Sequence, residues 1–112
     1  MSWINDFKLD IKKDLSFYGT DLSRPECVIA QKNGTLWVSD NRHAVTKINA
    51  DGSQEQLGEN GETNGMTMDK DGNIYLVDWM NNKVLKMTPD GQMEVLLDAL
   101  DGQPLGPTNY VF

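Results

Sequence analysis

The chain has 112 residues, with 10 Lys and Arg against 17 Asp and Glu, a formal net charge of -7 and one His. That acidic balance leaves no basic stripe to neutralise phosphates, so neither nucleic acid nor an anionic membrane surface is expected as a partner. No stretch approaches the roughly 18 apolar residues of a membrane-spanning helix, and an apolar fraction of 38% suits a folded unit with a modest core.

The N-terminus, MSWINDFKLD, has neither a positively charged start nor an apolar run, so it does not read as a secretory signal. Cys27 is the single cysteine, which excludes a disulfide within the chain and fits an expected cytoplasmic location. Along residues 1 to 24, Phe7, Leu9 and Ile11 alternate with polar residues, as do Leu15 and Phe17. The pattern predicts two half-buried strands around a turn at Lys12-Lys13-Asp14, the outer strands of a partial blade. A short amphipathic helix over residues 3 to 11 is the alternative.

From Pro25 onward the chain repeats itself. The stretch TNGMTMDKDGNIYLVDW, Thr63 to Trp79, has a looser copy 38 residues earlier in PECVIAQKNGTLWVSDN. Val45-Thr46-Lys47-Ile48 with Asp51-Gly52 returns as Val84-Leu85-Lys86-Met87 with Asp90-Gly91. The candidate strands of the first copy are Val28 to Ala30, Leu36 to Ser39, Val45 to Ile48 and Glu55 to Leu57. Those of the second are Met66 to Met68, Ile74 to Val77, Val84 to Met87 and Met93 to Leu97. Asn33-Gly34, Asp51-Gly52, Asp71-Gly72 and Asp90-Gly91 fall between strands, where the positive φ angles of a type I′ hairpin turn favour Asn, Asp and Gly. Thr108 to Phe112 restarts the Thr63-Asn64 motif after the Gly- and Pro-containing loop DALDGQPLG.

Self-similarity at about 40 residues with four short strands per period is the signature of a β-propeller blade. The expected fold is therefore all-β, with blades at residues 25 to 58 and 59 to 106 and the first strand of a third at 107 to 112. Ile74-Tyr75-Leu76-Val77 is apolar on both faces, as blades stacked face to face require. A ring needs roughly 160 residues even for four blades. This chain alone is too short to close one, so it is expected either to form a homo-oligomer or to be a fragment of a longer propeller.

Three chemical patterns occur in the sequence. Asp69, Asp71 and Asn73 occupy the first, third and fifth ligand positions of a calcium-binding EF-hand loop, but Ile74 stands where that loop needs Gly and Met80 where it needs Glu. A hairpin turn is the better reading. His43 has no Ser, Cys or second His nearby in sequence and reads as a solvated loop residue, and Cys27 as a small buried thiol. Glu26, Asn64 and Asn109 hold the same position at the head of three successive innermost strands, which converge on one channel mouth in a propeller. A carboxylate with amide oxygens suits a hard divalent cation such as calcium, whereas Asn64 and Asn109 also suit plain turn capping.

RPECVIA, GTLWVSD, NGMTMDKDGNIYLVD and PDGQMEVLLD resemble the senescence marker protein, gluconolactonase and luciferin-regenerating enzyme family, with strictosidine-synthase-like propellers as relatives. The similarity runs over roughly residues 22 to 112. It implies a six-bladed propeller that holds one divalent cation, calcium before zinc, and hydrolyses a small-molecule lactone or ester. On the resemblance Glu26 and Asn109 are metal ligands and Asn64 binds substrate. The later blades that supply the remaining ligands and the general base in that family have no counterpart here, so the enzymatic reading stands beside a non-enzymatic module binding a small ligand or a protein.

Overall fold

In the computed structural model, which describes residues 6 to 59 and 62 to 112, the repeat becomes two four-stranded antiparallel sheets. The first contains β1 (Val28–Ala30), β2 (Leu36–Ser39), β3 (Val45–Ile48) and β4 (Gln54–Leu57), in that order across the sheet. The second contains β5 (Thr63–Met68), β6 (Ile74–Asp78), β7 (Lys83–Met87) and β8 (Met93–Leu97), again in sequence order. Short hairpins force this meander, because a loop of a few residues can only return the chain to the adjacent antiparallel position.

The four glycine turns share one geometry. In each, the glycine amide donates to the carbonyl three residues back: Gly34 to Gln31 at 3.0 Å, Gly52 to Asn49 at 2.9 Å, Gly72 to Asp69 at 3.1 Å and Gly91 to Thr88 at 2.9 Å. The glycines carry φ between 84° and 90°, whereas Asn33, Asp51, Asp71 and Asp90 are not among the positive-φ residues. The turns are therefore not type I′, which needs positive φ at two successive residues. Each is a turn of ordinary hand followed by one left-handed glycine, the arrangement of longer hairpin loops. The sequence located the turns, but the chosen backbone places the strain on glycine alone.

Alternation along the strands sends one face of each sheet inward. Ile29, Trp37, Val45 and Leu57 of the first sheet pack with Met66, Met68, Ile74, Leu76, Leu85, Met87 and Met93 of the second. Cross-strand register aligns these side chains, since Met68 pairs with Ile74, Ile74 with Met87 and Met87 with Met93. The outward faces differ in cover. Val28 remains 59% exposed on the first sheet, and Tyr75 is partly exposed on the second. Over the first sheet's outer face, residues 19 to 22 lie against Ile48, held by Thr20 N–H donating to Gln54 Oε1 at 2.8 Å and Gln54 Nε2 donating to the Thr20 carbonyl at 3.1 Å.

Three further expectations differ from this structure. No strand forms within residues 7 to 18; one helical turn, α1 (Ile11–Asp14), sits there, capped by Asp10 accepting from Lys12 N. Phe7, Leu9, Ile11, Leu15, Phe17 and Tyr18 are all exposed, because their alternation meets no sheet that could bury one side. The first part of the alternative helix, residues 3 to 5, lies outside the described residues. Residues 107 to 112 form no strand, since no ladder among the described residues pairs with them. The linker expected as a loop at 98 to 106 holds a small hairpin, β9 (Ala99–Leu100) and β10 (Gln103–Pro104), turned by Asp101 and Gly102 at φ 50° and 77°.

Candidate functional site

Strand heads are pinned by side chains buried at the ends of the second strands. Ser39 Oγ accepts from the amides of Glu26 at 2.9 Å and Cys27 at 3.0 Å, which fixes the entry into β1. Next to it, Asp40 is wholly buried and accepts from Arg42 N at 3.0 Å, Thr46 Oγ1 at 2.9 Å and Arg42 Nη2 at 3.3 Å. Burial pushes this carboxyl up, but the Arg42 amide, the Thr46 hydroxyl and the Arg42 guanidinium outweigh it and hold Asp40 below its ordinary value. Asp78, its equivalent in the second repeat, accepts from Asn81 N at 3.0 Å and Asn81 Nδ2 at 2.8 Å. Both acids close the turn behind their strand and are structural.

β5 begins differently. Thr63 pairs with Asp78 and Met66 with Leu76, so Asn64 and Gly65 together oppose Val77 and form a bulge. A bulge takes its residues out of the ladder and re-aims them. Gly65 N–H, freed from the sheet, donates to the Asn109 carbonyl at 3.0 Å, while Asn64 Nδ2 donates to Asn109 Oδ1. Thr108 Oγ1 donates to the Asp78 carbonyl at 3.3 Å and holds the same segment. Asn64 Oδ1 is then buried with no hydrogen-bond partner, a costly state for an amide oxygen.

Of the three strand-head residues singled out from sequence, the structure thus brings Asn64 and Asn109 together. Glu26 is separate: its carboxylate is half-exposed and bonds Arg24 Nη2 at 3.0 Å, and the Arg24 guanidinium also lies 5.2 Å from the centre of the Trp79 ring. Among the described residues no cluster of three or more His, Cys, Asp or Glu side chains could hold a metal ion. The donor types at the three equivalent repeat positions nevertheless suit a hard cation, because Asn64 offers an unused neutral oxygen and Glu26 a half-exposed carboxylate.

Two residues enter this region that the sequence reading did not place in it. Tyr110 holds the position equivalent to Cys27 and Gly65, and its hydroxyl lies 3.0 Å from Cys27 Sγ. Cys27 also donates to the Met66 carbonyl at 3.6 Å. The neighbouring thiol pushes the Tyr110 hydroxyl above its usual value. The signal for Tyr110 was present in the repeat alignment, since it follows Asn109 as Gly65 follows Asn64. The Asp69 loop is closed to metals in the opposite way: Asp69 accepts from Asp71 N at 2.9 Å, Asn73 N at 3.0 Å, Asn73 Nδ2 at 2.9 Å and Tyr75 OH at 3.1 Å. Those donors, the Asn73 side chain first, hold its pKa at about 2. This is a saturated turn, not a calcium loop.

Successive four-stranded meanders stacked face to face, with their first strands meeting at one end, decide the architecture. The chain folds as part of a β-propeller. Solved structures agree: a streptogramin B lyase superposes with a TM-score of 0.59 at 20% identity over 75% of this chain and 29% of its own. The selenomethionine-substituted virginiamycin B lyase from Staphylococcus aureus does so with a TM-score of 0.58 at 21% identity, over 73% of this chain and 30% of its own. This chain therefore spans about three tenths of the length of these propellers. No protein-family model matches it, and no curated protein does.

Proposed function

We propose that the strand heads carrying Glu26, Asn64 and Asn109 are part of a small-molecule site at the mouth of a propeller channel, in an enzyme that opens a lactone or ester with the help of a divalent cation, calcium before zinc. The observation that carries this reading is the buried Asn64 oxygen without a partner, beside the Asn109 amide; Glu26 holds the equivalent repeat position in the neighbouring blade. Glu26 and Asn109 would hold the cation, and Asn64 would orient the substrate. A bound cation would supply polarisation of the substrate carbonyl. The general base and further ligands come from other blades, contributed by a longer parent chain or by further copies. Solved neighbours that are lyases support an enzyme built on this fold, although fold by itself never fixes chemistry.

Titration calorimetry with calcium tests it. Glu26→Gln should weaken binding at least about tenfold, the scale of losing one charged ligand, with the far-ultraviolet circular dichroism unchanged. Equal affinity in the two proteins would sink the assignment. A binding module without chemistry is the second reading, favoured by the Arg24 to Glu26 pair at 3.0 Å, which already satisfies the carboxylate. Calcium binding without turnover of any lactone or ester panel, in the assembled ring, would select it.

A further inference from the structure

We infer that Gly65, Tyr110 and Cys27 form a clasp across three strand heads, and that this clasp positions Asn109 against Asn64. Each of the three occupies the same place in its repeat, one residue after Asn64, Asn109 and Glu26. Tyr110 packs directly against Gly65. A Cβ added at Gly65 would stand 2.4 Å from Tyr110 Cγ, 2.5 Å from Cδ2 and 2.7 Å from Cα, distances no side chain tolerates. Gly65 is not among the positive-φ glycines, so space rather than backbone freedom demands glycine at this position.

The far end of the tyrosine is fixed as well. Cys27 donates to the Met66 carbonyl, which leaves the Tyr110 hydroxyl as the donor to sulfur at 3.0 Å. Ring on glycine and hydroxyl on thiol together set where residue 109 can stand, and the Gly65 amide donates to the Asn109 carbonyl at 3.0 Å in that position. Tyr110 is assigned no role at the reacting atoms. It is a positioning residue, acting through Asn109. For its ligand the clasp depends on the site reading above; for its existence it depends on geometry alone.

Two readouts separate those dependences. Cys27 is the only thiol, so its alkylation by iodoacetamide, followed by mass spectrometry, reports whether Tyr110 is seated. Tyr110→Ala and Gly65→Ala should each speed alkylation about tenfold or more, as expected when a protecting contact is replaced by local opening. Tyr110→Phe keeps the ring on Gly65 and should rescue most of the protection. Calcium calorimetry on the same proteins should show affinity lost about tenfold in Tyr110→Ala and Gly65→Ala and largely retained in Tyr110→Phe, the scale of a disturbed supporting residue at a metal site.

If alkylation is as slow in Tyr110→Ala as in the parent, the clasp is refuted whatever the metal result. If thiol protection is lost but calcium affinity is unchanged, the clasp exists and its positioning role is refuted. If the unsubstituted chain binds no calcium while the thiol pattern holds, the metal reading fails and the clasp stands; a shift of the Asn64 and Asn109 side-chain amide cross-peaks in Gly65→Ala then supports its positioning role, and unshifted cross-peaks refute it.

Discussion

Leu76→Ala in β6 tests whether the two sheets are held mainly by the core between them. Leu76 is 0% exposed and pairs across the sheet with Met66 and Leu85, which are both buried in the same cluster. Truncation removes the equivalent of about three methylene groups at about 0.8 kcal/mol each, which gives about 2.4 kcal/mol for lost transfer energy alone. Neighbours on two β-strands cannot close the space fully, so a cavity term raises the expected cost to about 3 to 4 kcal/mol. Leu96→Ala supplies the contrast: Leu96 is 47% exposed on β8, and its loss should cost under about 1 kcal/mol. Urea unfolding followed by tryptophan fluorescence reads both. With a slope of about 1.5 kcal/mol per molar for a protein of this size, Leu76→Ala should lower the midpoint by about 2 M. A drop no larger than that of Leu96→Ala would refute the claim that stacking of the inner faces holds the blades together.

Acid should unfold the chain partly through Asp69. Its folded pKa of about 2 lies below the ordinary 3.8, so the stability it contributes is complete above about 3.8 and is lost as pH falls through about 2. Asp69→Asn should be less stable at neutral pH and show a flatter decline between pH 4 and 2; parallel stability curves would contradict this. Gly58→Ala should cost about 1 to 3 kcal/mol, because φ is 74° and the new Cβ would meet Ala44 Cβ at 2.7 Å and Met93 Sδ at 2.9 Å. Gly52→Ala, at φ 87° but in open space, should cost about 1 kcal/mol, so equal losses at the two sites would show that packing at Gly58 is not tight.

The repeat makes the blades legible in the sequence. A period of about 40 residues, alternating apolar positions and a glycine between strands can be satisfied only by local hairpins, which need no knowledge of the rest of the molecule. Strands β1, β2, β3 and β8 therefore fall where the alternation put them, and the remaining four differ by up to three residues at one end. Likewise, Asp69 was readable as a turn because its partners, Asp71, Asn73 and Tyr75, lie within six residues of it.

Properties that depend on distant chain did not show in the letters. Alternation at Phe7, Leu9 and Ile11 looks like a strand, yet a strand exists only where a partner edge accepts its amides, and none does. The glycine pairs marked turns, but their handedness was settled by how the flanking strands twist and pair. At the strand heads the alignment placed Glu26, Asn64 and Asn109 in register, and tertiary packing then treated them unequally. A bulge at Asn64 and Gly65 turned one amide to Asn109, Arg24 took Glu26, and Tyr110 crossed a bare glycine to reach a thiol 83 residues away in sequence. Register along a repeat is a local property of sequence, whereas which side chains meet at the strand heads is decided by close approach of backbones, and that is fixed only when the sheets stack.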